Sequence, residues 1–174
     1  MKSIIVTGGA GFIGSNFILQ NINKYKIINI DTLTYASNQN YLKSVSKLKN
    51  YKFYKINILN TKKIINLIKK YKPIYIFNFA AESHVDNSIK NSDKFINTNI
   101  LGTHSLLKAV LRSKKILSTS FKFIQISTDE VFGDVKKNYL SKESDRYNPS
   151  SPYSASKAAS DHLVSSWGRT YNID

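Results

Sequence analysis

Tyr153 and Lys157 stand four residues apart, a spacing that puts both side chains on one face of a helix. An ammonium beside a phenol favours the phenolate and brings its pKa down from about 10, so the pair can act as a base near neutrality. In a chain with 11 Tyr the same spacing also arises as an ordinary amphipathic helix pattern. Ser127-Thr128-Asp129-Glu130 places two adjacent carboxylates behind a hydroxyl. In a crevice such acids can divide general-acid and general-base work when their surroundings separate them. On an open surface they serve as a cap or a solvated turn.

A second constellation lies at the start of the chain. In Thr7-Gly8-Gly9-Ala10-Gly11-Phe12-Ile13-Gly14 the residues Gly8, Gly11 and Gly14 recur every third position. A tight turn, a backbone that approaches a pyrophosphate and a helix packed close on a sheet each favour a residue without a Cβ. The N-terminus of the following helix offers free N–H groups to phosphate. Asp31 follows 17 residues after Gly14, where a carboxylate can accept hydrogen bonds from the adenosine ribose and repel a 2′-phosphate. The cofactor expected is therefore NAD. A plain glycine-rich turn with a turn aspartate is the alternative.

The elements that must position these residues follow from the apolar patterning. Residues 3–7 read as a buried strand and 11–23 as a helix, with Phe12, Ile13, Phe17, Ile18 and Ile22 on helical spacing. Strands are predicted at 26–30, ended by Asp31, and at 51–58, 74–79 and 121–127. Helices are predicted at 61–70 with Thr61 as cap, at 93–112, and at 153–171 after a polar loop holding Pro149 and Pro152. Strands alternating with helices imply right-handed crossovers and a parallel sheet, hence an α/β Rossmann-type doubly wound fold with three α/β/α layers. Ligands of such sheets bind beyond the carboxyl ends of the strands, where both constellations fall.

Composition narrows the function classes. The 174 residues suit one domain of ordinary size, and 41% hydrophobic residues can build a core. There is no Cys, which removes disulfides, thiolate metal sites and a Cys nucleophile. His84, His104 and His162 show no ligand spacing, so no metal is expected. No apolar run approaches the roughly 20 residues of a membrane span, and the start resembles a signal peptide for only six residues before the glycines intervene. The expected location is cytoplasmic. The formal charge of +15 raises nucleic acid as a partner, but only Arg112, Arg146 and Arg169 are Arg. The lysines are dispersed rather than gathered in a block, so a solvated basic surface is the favoured reading.

Taken together, the glycine loop with Ser15, Asp31-Thr32-Leu33-Thr34-Tyr35-Ala36, Ala80-Ala81-Glu82-Ser83-His84-Val85-Asp86, Ser127-Thr128-Asp129-Glu130-Val131-Phe132-Gly133 and Tyr153-Ser154-Ala155-Ser156-Lys157 resemble the extended short-chain dehydrogenase/reductases. Within them the chain is most similar to the branch that dehydrates nucleotide-activated glucose such as dTDP-glucose. The Thr-Asp-Glu triplet separates that branch from the epimerases, which remain an alternative along with a catalytically inactive NAD-binding module. The resemblance implies that Tyr153, with Lys157 and Thr128, takes the C4 hydroxyl proton. Glu130 and Asp129 then act as base and acid in loss of water across C5 and C6. It further implies that Phe12, Ile13, Thr34, Asn57, Ile58, Ala80, Ala81 and Thr98 line the cofactor, and that Ser83 and His84 lie near cofactor and sugar.

Some positions depart from the family pattern. Asn57-Ile58-Leu59-Asn60 stands where Asp-Ile-x-Asp is usual, Asn87 where an Arg is common, and Phe132 where Tyr is frequent. Family members are also longer. The chain is therefore expected to correspond to the NAD-binding and catalytic part, residues 1–174, without the later region that forms most of the nucleotide pocket. The family further implies a homodimer through the helices at 93–112 and 153–171.

Overall fold

The uninterrupted run Ile4-Ile5-Val6 leaves no polar face for water, which suits the centre of a parallel sheet covered on both sides. In the computed structural model, which describes residues 1–135 and 137–174, that run is β1 (Ser3–Thr7). It pairs in parallel with β2 (Lys26–Asp31) on one side and β4 (Tyr75–Asn78) on the other. Outside these lie β3 (Tyr51–Lys55) and β5 (Lys122–Gln125), giving the all-parallel order β3-β2-β1-β4-β5. The order reverses between β1 and β4, and a cleft opens there at the carboxyl ends.

Alternate residues of each strand face opposite layers. Ile5, Ile28, Ile30 and Ile76 pack against Ile64 and Ile68 of α2 (Thr61–Tyr71) and Leu106 and Val110 of α5 (Thr103–Ser113). Leu163, Val164 and Trp167 of α6 (Pro152–Tyr171) join the same layer. Ile4, Val6 and Ile27 turn the other way, onto Ile18 and Ile22 at α1 (Phe12–Asn21), with Leu42 and Val45 closing that side.

The expected elements are present, with differences at their ends. The cap of α2 is Asn60 rather than Thr61: the Asn60 side chain accepts the Lys63 N–H at 3.1 Å, and the Thr61 hydroxyl bonds Ser105 instead. The third and fifth strands stop at Lys55 and Gln125, so 56–58 and 126–127 run on beyond the strands as cleft-lining chain. The long helix expected at 93–112 is built as α4 (Asp93–Phe95), a π-helical stretch Ile96–Gly102 and then α5. A short helix between them and β4, α3 (Val85–Lys90), has no clear sequence signal. Among the described residues no helix is long and apolar enough to cross a membrane.

Candidate active site

The glycine loop is a backbone device. Gly8 sits at φ +68°, and a Cβ there would lie 2.6 Å from the Ala80 backbone nitrogen. A Cβ on Gly14 would run into the Gly8 carbonyl oxygen. Gly8 N–H donates to the Ile30 carbonyl at 2.8 Å, and Gly11 N–H closes the turn on Gly8 O at 3.1 Å. Gly11 caps α1 without a side chain, so the first-turn N–H groups face the cleft. Phe12 and Ile13 stand there 72% and 63% exposed, large apolar groups at the mouth of a phosphate-sized cradle.

Asp31, buried at the end of β2, ties this loop down. Its Oδ2 accepts the Ala10 N–H at 2.9 Å, and its Oδ1 accepts Leu33 N–H at 2.8 Å and Ser37 Oγ–H at 2.9 Å. Carboxylate oxygens hold two lone-pair sites each, so Oδ2 keeps one for a further donor in the cleft.

The cleft encloses about 460 Å³. It brings together Gly8, Gly11, Phe12, Ile13 and Gly14 from the loop, Asp31 and Thr34 after β2, and Asn57 and Ile58 after β3. Ala80, Ala81 and Ser83 after β4, Thr98 from the π-helical stretch, and Tyr153 with Lys157 on α6 line it as well. Asn57 turns its Oδ1 onto its own loop, accepting Leu59 N–H at 2.9 Å. His84 and the triplet Thr128, Asp129 and Glu130 lie outside this lining. His84 is the N-cap residue of α3, and the acids occupy a 3-10 turn, Asp129–Phe132, capped by the Thr128 hydroxyl on Glu130 N–H at 3.3 Å.

The start of α6 is fixed by a capping box between Ser151 and Ser154, with Pro152 in the first turn. Tyr153 is packed edge-to-face on Phe95 at 6.3 Å between ring centres. Burial pushes its phenol above the ordinary value. The neighbouring Thr128 hydroxyl works against this, and the carboxylates of Glu130, Asp129 and Asp161 add to it. The expected lowering by Lys157 is therefore not what this arrangement produces. Lys157, 4% exposed, directs Nζ to the Ile126 carbonyl instead. Burial pulls the Lys157 ammonium below its usual value, and Asp161 opposes that pull.

Several lining residues carry no spacing signal. Ser37 holds Asp31, and Glu82 is held by Asn99, whose side chain accepts Glu82 N–H at 2.9 Å and donates to Glu82 O at 2.9 Å and Ser156 Oγ at 2.8 Å. Asn78 links β1 to β5 beneath the cleft, accepting from Thr7 at 2.5 Å and donating to Gln125 at 2.8 Å. Among the described residues no three His, Cys, Asp or Glu side chains gather as a metal site. His104 and His162 lie against the rings of Trp167 and Tyr147.

Comparison with known proteins matches the same stretch of chain. The family model described as GDP-mannose 4,6 dehydratase matches residues 5–174. A dTDP-glucose 4,6-dehydratase of Haemophilus influenzae is 47% identical over 99% of this chain and 53% of its own length. The chain thus spans about half the length of the curated relatives it matches. Among solved structures, the dTDP-glucose 4,6-dehydratase of Bacillus anthracis in complex with NAD superposes with a TM-score of 0.85 at 41% identity, over 99% of this chain and 52% of that one. DesIV of Streptomyces venezuelae, a dTDP-glucose 4,6-dehydratase solved with NAD bound, gives 0.90 at 35% identity, over 99% and 53%.

Proposed function

This chain belongs to the GDP-mannose 4,6 dehydratase family, and on that premise we propose that it is the cofactor-binding and catalytic part of an NAD-dependent dTDP-glucose 4,6-dehydratase. The observation that carries the reading is the shared cleft: the glycine cradle and the buried pair Tyr153 and Lys157 line one cavity. The acid-bearing turn follows directly from the lining residue Ser127.

The residues fit the dinucleotide. A Cβ would fill the cradle at Gly8 and Gly14, the first turn of α1 presents N–H groups, and Asp31 offers a carboxylate at the ribose position. Gly8, Gly11, Phe12, Ile13 and Gly14 would hold the pyrophosphate, and Asp31 and Thr34 the ribose. Asn57 and Ile58 would face the adenine, with Ala80, Ala81 and Thr98 along the middle. Bound there, NAD supplies the hydride acceptor at C4 of the sugar and, once reduced, the donor at C6.

The chain's own groups move the protons. Tyr153 as phenolate takes the proton of the C4 hydroxyl, with the Thr128 hydroxyl easing the phenol's ionisation. The C4 ketone so formed acidifies the C5 proton, which Glu130 removes. Asp129 protonates the C6 hydroxyl, which leaves as water. Lys157 lies buried one helical turn from Tyr153 and anchors the strand exit at Ile126. Ser83 and His84, after β4, would contact cofactor and sugar. Once hydride has been returned to C6 and Glu130 has given its proton back to C5, the product would be a 4-keto-6-deoxy sugar, with no net change in the cofactor.

The partner is accordingly a nucleotide sugar, in a cytoplasmic, Cys-free protein, and the chain pairs with a second copy through α5 and α6. The test is direct: NAD titration, then an assay for 4-keto product with dTDP-glucose, and sedimentation for the dimer. Product formation abolished by Tyr153→Phe supports the dehydratase. Assayed in the whole assembly, with the nucleotide pocket present, NAD binding without product from dTDP-glucose refutes it and leaves an NAD-binding module or a related enzyme for another nucleotide sugar.

A further inference from the structure

The chain leaves the sheet at β5 and must then hold a turn in place without a ladder. The last sheet bond is Ile126 N–H to the Asn78 carbonyl at 3.2 Å. Beyond it, two side chains one turn apart on α6 take over: Lys157 on the Ile126 carbonyl, and Asp161 on the Ser127 hydroxyl. The same Oδ2 of Asp161 accepts the Tyr147 hydroxyl at 3.2 Å. Tyr147 in turn packs edge-to-face on Phe132 at 5.4 Å, at the far end of the acid-bearing turn. One carboxylate oxygen thus reaches the turn from both sides, through Ser127 before it and through Tyr147 and Phe132 after it.

We propose that Asp161 is a positioning residue that holds the turn carrying Thr128, Asp129 and Glu130 against Tyr153. Only an acceptor can take two hydroxyl protons at once, and a carboxylate makes those bonds charge-assisted. Asp161 lies two helical turns beyond Tyr153 on the same face, so the base and the bracket of the acids are mounted on one rigid rod. The proposed chemistry gives Asp161 no proton to carry. Its part is distance, and misplacing a catalytic group by about 1 Å can cost about 100-fold in rate.

This inference rests on the dehydratase reading, so the experiment separates the two. Asp161→Ala, Ser127→Ala, the double variant and Asp161→Glu are prepared in the whole assembly, which includes the nucleotide pocket. With NAD bound, the backbone amide resonances of Thr128, Asp129 and Glu130 are expected to shift alike in Asp161→Ala and Ser127→Ala, with the NAD affinity of Asp161→Ala within about two-fold of the parent. In turnover of dTDP-glucose, Asp161→Ala is expected to lower kcat by about tenfold or more with KM nearly unchanged. Asp161→Glu should recover most of that loss. The double variant should be no slower than Asp161→Ala, since both changes break the same bond. Unmoved amides, an unchanged kcat or losses that multiply would overturn the proposal. If the parent binds NAD but makes no 4-keto product, the dehydratase reading fails by itself, and the amide shifts still decide whether Asp161 holds the turn.

Discussion

The Asp31 carboxylate accepts the Ala10 backbone N–H at 2.9 Å, which fastens the glycine loop after β1 to the end of β2. Cradle and ribose position are therefore one unit. Asp31→Ala removes the acceptor of Ala10, Leu33 and Ser37 together, and hydrogen bonds to charged groups contribute about 1.5–3 kcal/mol each. After relaxation and entry of water, a loss of about 3 kcal/mol in unfolding free energy is expected in urea denaturation, with NAD affinity down by about tenfold or more. Asp31→Asn keeps acceptor capacity and should lose about half as much stability. A loss below about 1 kcal/mol for Asp31→Ala would show that the tether is unimportant.

Gly8 meets the Ala80 backbone rather than a movable side chain, and it does so at φ +68°. Gly8→Ala therefore combines a left-handed backbone cost of about 1 kcal/mol with a contact that only a shift of the chain just after β4 can relieve. We expect a destabilisation of about 3 kcal/mol and loss of measurable NAD binding in a calorimetric titration. Gly11→Ala is the control, because its Cβ would meet only the Gly8 carbonyl at 3.3 Å. It should be tolerated better in stability than Gly8→Ala.

Tyr153 titrates above an ordinary phenol because burial outweighs the Thr128 hydroxyl. Removing a carboxylate charge by Glu130→Gln should move the midpoint down, and Thr128→Val should move it up, as followed by tyrosine ring-carbon NMR with Tyr153→Phe for assignment. The linkage sign is fixed by the same shift. The folded chain holds this proton more tightly than the unfolded one, so the contribution to stability is complete below about pH 10 and is lost as pH rises through the raised folded value. Tyr153→Phe should flatten that alkaline limb in denaturation curves. A midpoint at or below 10 in the free chain would contradict the dominance of burial.

What could be read from sequence was what is written in backbone necessity and apolar period. Gly8 and Gly14 announce a cradle because a Cβ at either would run into backbone, and Ile4-Ile5-Val6 announces a central strand because both faces are buried. The expected strands overrun the observed ends at 56–58 and 126–127, since Ile56, Ile58 and Ile126 remain apolar after the ladder stops. Ile58 is buried there against Gly102 of the π-helical stretch, a contact that spacing along the chain does not encode. The partner of Lys157 was misread for a related reason: it is a backbone carbonyl, Ile126 O, which every residue possesses and no motif marks.

Asn99 shows the same limit and supplies a further test. It lies 2% exposed in the π-helical stretch and satisfies both backbone groups of Glu82, at 2.9 Å each, while donating to Ser156 at 2.8 Å. Ser156 passes its own proton to the Tyr153 carbonyl at 2.6 Å, so one amide joins the loop after β4 to the helix that bears the base. Asn99→Ala leaves the part-buried Glu82 N–H and C=O without these partners, at about 1–2 kcal/mol each. A loss of about 3 kcal/mol in unfolding free energy is expected. Asn99→Asp keeps the shape and the acceptor for Glu82 N–H, but at neutral pH it sets an anion against the Glu82 carbonyl and the Ser156 oxygen. It should be at least as damaging at pH 7. It should regain part of the loss as the new carboxyl is protonated below about pH 4, because the protonated acid can again donate. If Asn99→Asp matches the parent at pH 7, the amide's donor bonds do not hold the base-bearing helix in place.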